Sequence, residues 1–201
     1  MIAMRPFANK AEALRRFVPL LLLPLIFLLC SSTVATSKSK PVKESRLAGL
    51  RPGIDTLENA FKRFSKKTME GQGDYSWSDS CNGQHLILRA NPSGPLWEVL
   101  VERIAEHGDC TPHSYSQQVG ERWGSGHGLL IRDSCDRIEA IYGAPLSKNS
   151  SEVDLAHVET YHYYYRAEGE NVALNWSVTC ETAKDGSLSG ITVMKLRVAG
   201  K

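Results

Sequence analysis

The residues best suited to chemistry are a glycine-flanked serine, six histidines, five cysteines and a few carboxylates set among apolar neighbours. Gly124-Ser125-Gly126-His127-Gly128 brings a hydroxyl and an imidazole within two positions of each other. A nucleophile elbow needs Gly two positions before and two after the serine, at a strand-to-helix turn. Trp123 and His127 hold those places, so the segment reads as a flexible link between two halves of the chain. His85, His107, His113, His127, His157 and His162 contain no H-E-x-x-H or other helical ligand pair. They read as turn and strand-surface residues, and no metal or cofactor is expected. Glu98 and Glu102 read as solvated charge at the rim of a strand. With no phosphate-cradling loop either, the sequence gives no positive signal for an enzyme.

The cysteines point to an address. Arg5, Lys10, Arg15 and Arg16 precede an apolar run from Phe17 to Leu29, and small residues follow it, as in a secretory signal. The run is 13 residues long, short of the roughly 18–20 that cross a bilayer. Thr33-Val34-Ala35 is the expected cleavage site, so residues 1–35 form the signal and no transmembrane segment remains after it. A lipid anchor on Cys30 is the alternative, against which bulky Leu29 counts. The whole chain carries a net charge of +2, but four of its 24 Lys and Arg and one of its 22 Asp and Glu lie in the signal. The remaining 166 residues therefore carry a charge of −1, which removes any argument for nucleic acid. Cys81, Cys110, Cys135 and Cys180 remain, which in an oxidising compartment means two disulfides with three possible connectivities. The expected location is secreted or periplasmic, or membrane-anchored through the N-terminal segment.

Positioning elements follow from periodicity. Residues 36–49 are rich in Ser and Lys and read as a flexible tether. Two segments look like one helix written twice. In the first, Ile54, Leu57, Phe61 and Phe64 recur at helical spacing, with Asp55 and Glu58 as a capping-box-like pair. In the second, Asp133 caps, Cys135, Ile138 and Tyr142 share a face, and Gly143 with Pro145 stops the helix. An offset of 78 lays Asp55 on Asp133 and Phe64 on Tyr142. Strands are expected at Gln84–Ala90, Leu96–Ile104 and, more weakly, 110–119, with a short one near Tyr75 and Trp77. In the second half they are expected at Tyr161–Arg166, 171–181 and Ser189–Val198. Turns are read at Asn91–Gly94, Asp185-Gly186 and the other Gly pairs. The fold class is α+β, with two degenerate repeats over residues 50–122 and 123–201. Each is a helix packed on an antiparallel three- to four-stranded meander sheet. One disulfide per half then gives Cys81–Cys110 and Cys135–Cys180.

The run Gly128-Leu129-Leu130-Ile131-Arg132-Asp133-Ser134 and then Ile138 to Pro145 resembles the opening of units in the β-lactamase inhibitor protein-like fold, shared by the SmpA/OmlA outer-membrane lipoproteins. Arg51-Pro52-Gly53-Ile54-Asp55-Thr56 is similar to the same opening. Arg132 stands where such openings usually have Gly. The resemblance implies helices packed on an antiparallel sheet, in two tandem units over about residues 50–198.

Tyr161-His162-Tyr163-Tyr164-Tyr165-Arg166 is the one local excess of aromatic residues. Alternation sends Tyr161, Tyr163 and Tyr165 to one face, and His162, Tyr164 and Arg166 to the other. If Leu174, Trp176 and Val178 face the helix, the second set lies on a shallow polar surface, a composition suited to protein contact. The expected partner is another protein. Asn149-Ser150-Ser151 and Asn175-Trp176-Ser177 match the glycosylation pattern and are read as chance. Three classes of function fit: a noncatalytic binding or inhibitor-like module, an envelope assembly accessory, and a secreted enzyme with an unrecognised site.

Overall fold

The clearest alternation in the sequence becomes the centre of the structure, a computed structural model that describes residues 42–64, 74–79, 81–105, 123–166, 172–185 and 189–201. Strand β6, Ala173–Ala183, buries Leu174, Trp176, Val178 and Cys180 and leaves the intervening residues half exposed. It belongs to a seven-stranded antiparallel sheet of order β1-β2-β3-β7-β6-β5-β4. The other strands are β1 (Asp74–Asp79), β2 (Gln84–Ala90), β3 (Leu96–Arg103), β4 (Ser147–Val153), β5 (Ala156–Arg166) and β7 (Ser189–Val198). Helix α1 is Leu57–Phe64 and helix α2 is Asp136–Tyr142. The described residues fall in one compact unit, Lys40–Lys201, so the expected halves share a sheet through the pairing of β3 with β7.

Both helices cover the same face. Phe61 and Phe64 of α1 meet Tyr75 and Trp77 of β1, and Phe64 also packs edge-on against Trp123. From α2, Tyr142 packs on Tyr163 of β5 and Trp176 of β6, with ring centroids 5.7 and 5.6 Å apart. The Cys135–Cys180 disulfide ties the start of α2 to the inward face of β6. Cys81 is also disulfide-bonded; its expected partner Cys110, like His107, His113, the strand at 110–119 and the signal segment, lies outside the described residues.

The loops before the two helices are held alike. Gly53 N–H donates to Leu96 C=O and Leu96 N–H to Asp55 C=O, while Arg132 N–H donates to Ile191 C=O and Ile191 N–H to Asp133 C=O. The first loop thus docks on β3 and the second on β7. Gly53 and Arg132 both take positive φ, 84° and 73°. Arg132 therefore adopts the conformation that glycine would hold without strain.

Several expectations are corrected. The capping box of α1 is not Asp55 with Glu58 but Thr56 with Asn59: Thr56 N–H donates to Asn59 Oδ1 at 2.9 Å. Asp55 instead accepts from Arg51 N–H at 2.7 Å. Asp133 likewise does not cap α2; it accepts from Leu130 N–H and pairs with Arg137. Chain folding starts earlier than a tether to residue 49 allows, because Leu47 is fully buried and Glu44 is 1 % exposed. Strand β4 was not expected. All seven of its side chains are exposed, so no apolar alternation could mark it.

Candidate binding surface

The strands alternate, so the side of the sheet away from the helices carries the polar half of each. The register aligns these residues in rows. One row runs Asp74, Arg89, Glu98, Arg197, Asn175, Tyr164, each opposite the next. A second runs Ser76, Ile87, Leu100, Lys195, Ser177, His162. A third holds His85, Glu102, Val193 and Thr179. Among the described residues, α1, α2 and the loops before them pack on the opposite face.

Tyr161 and Tyr163 are buried, whereas Tyr164 is 57 % exposed and Arg166 is exposed as well. His162 is half-buried and its Nε2 lies 3.3 Å from Asn149 Nδ2. His162, Tyr164 and Arg166 therefore share the open face with the short side chains of β6.

Towards β1 the open face is charged, and here sequence reasoning missed a feature. Glu98 is not a solvated rim carboxylate: it is 2 % exposed and ion-paired with Arg89. A buried carboxylate needs such a partner, since burying an unpaired charge is costly. Arg89 also meets Asp74 at 3.2 Å. Partial burial works against its charge, but the hydrogen bond to Asp74 and the charges of Glu98 and Asp74 outweigh this and raise its pKa. A register shift between Arg89 and Ala90 places Trp97 as an extra residue on β3. The Arg89 guanidinium lies 5.9 Å from its ring centroid. A bulge turns consecutive side chains the same way, which simple alternation does not predict. Glu102 pairs with His85 at 2.9 Å. This face thus offers Tyr164 exposed and Trp97 half-buried, with a row of alternating charge beside the apolar pair Ile87–Leu100.

The Gly124–Gly128 segment is not a flexible link. Ser125 is 8 % exposed, and its Oγ lies 2.7 Å from Tyr142 Oη and accepts from Leu129 N–H at 3.0 Å. Tyr142 Oη is also 2.7 Å from Glu44 Oε2. A carboxylate accepts only, so the tyrosine proton goes to Glu44 and the serine supplies its own. Glu44 further accepts from the backbone N–H groups of Ser45, Arg46 and His127. Burial, then the charge of Glu44, pushes the Tyr142 pKa far above its usual value, so it stays a neutral donor. The His127 ring reaches the Lys43 carbonyl oxygen at 3.2 Å rather than Ser125. Serine and histidine are therefore arranged as a structural clasp and not as nucleophile and base. Beside it, Arg46, Arg63, Trp123 and the glycines line a cleft of about 440 Å³.

Among the described residues, no helix is long and apolar enough to cross a membrane. No protein family, curated protein or solved structure matches the chain.

Proposed function

We propose that the chain is an exported binding module that receives another protein on the open face of its sheet. One observation carries this: α1 and α2 cover one face, while the other presents Tyr164 and Arg166 exposed and Trp97, Arg89, Arg197 and His162 half-buried, beside the short side chains of β6 and the paired charges of β2 and β3. Large, rigid aromatic and arginine side chains are the residues that dominate protein interfaces. The paired charges on the floor suit a partner of complementary charge pattern, since mismatched charges there would be left desolvated. The Cys135–Cys180 disulfide fits an oxidising compartment, and the N-terminal segment reads as its export signal.

Two degenerate repeats belong to the same proposal. Strand order runs outwards from the β3–β7 junction in both halves, and the two pre-helix loops dock on those two strands by matching hydrogen bonds. That symmetry supports the likeness to the tandem β-lactamase inhibitor protein-like fold, and with it an inhibitor-like role.

The test compares the wild-type protein with Tyr164→Ala/Arg166→Ala and with Trp97→Ala in partner capture from the exporting cell's envelope and medium. Hot-spot truncation costs at least about 2 kcal/mol, roughly a 30-fold loss of affinity. The variants keep the wild-type melting temperature and lose the partner. Retention of every partner by folded variants refutes a binding role for this face.

A further inference from the structure

The sheet ends at β4, and this edge differs from the rest of the molecule. Every side chain from Ser147 to Val153 is exposed, and its pairing with β5 runs through seven residue pairs with no register shift. Natural edge strands are usually protected by a proline, a bulge or several charges. Here there is no proline, no bulge and one lysine.

We infer that β4 pairs antiparallel with the β4 of a second copy, about a two-fold axis through Ser150, to join two sheets into one. Three features of the strand commit it to a copy of itself. Its two charges, Lys148 and Glu152, stand two residues on either side of Ser150. Antiparallel pairing centred there sets Lys148 opposite the Glu152 of the second copy, and Glu152 opposite its Lys148. A slide by two residues breaks this reciprocal pairing, leaving Glu152 opposite Leu146 or Ser150.

Second, these charges continue ladders already present within the chain. Lys184 pairs with Glu152 at 3.1 Å and Lys148 with Glu159 at 2.9 Å. The two-fold joins them into an alternating run from Lys184 and Glu152 of one copy to Lys148 and Glu159 of the other. Opposite charges across a strand pair stabilise it, and like charges do the reverse.

Third, the exposed apolar residues bracket this strand. Leu146 and Leu155 are each 76 % exposed and Val153 is 53 % exposed; only Tyr164 joins them as an exposed large hydrophobic among the described residues. Pairing centred on Ser150 places Leu146 opposite Asp154 of the second copy, between its Val153 and Leu155. Each end of the strand pair then brings Leu146 of one copy beside the Val153–Leu155 turn of the other. A two-fold interface requires this self-complementarity, and a contact of one strand pair belongs to a concentration-dependent dimer rather than an obligate one.

Sedimentation equilibrium of the purified protein, disulfides intact, checks the oligomeric state. A dimer forming with rising concentration is expected. Ser150→Lys sets two lysines face to face on the axis and abolishes it without changing thermal unfolding, because the site is exposed in the monomer. Ser150→Cys yields a disulfide-linked dimer under mild oxidation, while Ser151→Cys, which faces Asn149 of the second copy, does not. A protein monomeric at every soluble concentration overturns the inference, as does a dimer that survives Ser150→Lys or equal cross-linking of both cysteine variants.

Discussion

Removing one oxygen atom, in Tyr142→Phe, tests whether the clasp holds the N-terminal strap to the rest of the fold. Tyr142 is fully buried, and its ring packs on Tyr163 and Trp176; phenylalanine keeps those contacts. What goes is the 2.7 Å hydrogen bond to the Glu44 carboxylate and the 2.7 Å contact with Ser125. A hydrogen bond to a charged group is worth about 1.5–3 kcal/mol. The Ser125 hydroxyl also loses its acceptor, while the more apolar ring returns part of the loss. The net destabilisation is about 2 kcal/mol, which for a domain of this size lowers the melting temperature by roughly 4–8 °C. Urea unfolding with unchanged m-value reads it out. Glu44→Gln serves as the second arm of a double-mutant cycle, because the pair interacts directly. A coupling of about 1 kcal/mol or more is expected. A change in Tyr142→Phe below about 0.5 kcal/mol, or an additive cycle, would show that residues 44–50 are held by the buried Leu47 and Leu50 and by hydrogen bonds to the backbone of Gly124, Gly126 and His127 instead.

Replacing both Cys135 and Cys180 with alanine opens a link that spans 45 residues and lowers stability by about 4 kcal/mol on loop-closure grounds, measured by urea unfolding; a loss under 1 kcal/mol would mean that the unfolded chain is hardly constrained by the bond. Gly190→Ala puts a Cβ 2.9 Å from Arg132 C=O at φ 127°, so it costs about 3 kcal/mol and weakens the docking of the second pre-helix loop, seen as faster amide exchange at Arg132. The His157 pKa is raised by its hydrogen bonds to Glu152 and Glu159. Its contribution to stability is therefore fully present below the unfolded value of about 6.5 and fades as pH rises through the folded value. NMR titration should place His157 above 6.5, and Glu152→Gln should bring it down; an unmoved midpoint contradicts the pairing.

What the sequence determined by itself is the set of elements that carry an apolar period. Strands β2 and β7 and the end of α1 fall on the expected residues, because each buries one face, at every second residue in a strand and every third or fourth in a helix. The inward turn of Tyr161 and Tyr163 follows from the same period once β5 lies beside β6. The Cys135–Cys180 bond was legible because helix face and strand face both pointed those cysteines inwards.

Tertiary structure alone decided the rest. The seven exposed residues of β4, six of them polar, become a strand only because β5 offers them a free edge. Glu44, in a stretch that composition marks as a tether, is buried because the His127 N–H and Tyr142 Oη, far away in sequence, complete its hydrogen bonds. Glu98 is buried with its charge because the β2 register delivers Arg89 beside it. In each case the deciding partner sits on another element of the fold. Local pattern reports which side of an element is apolar; it does not report which polar group another element will bring to meet it.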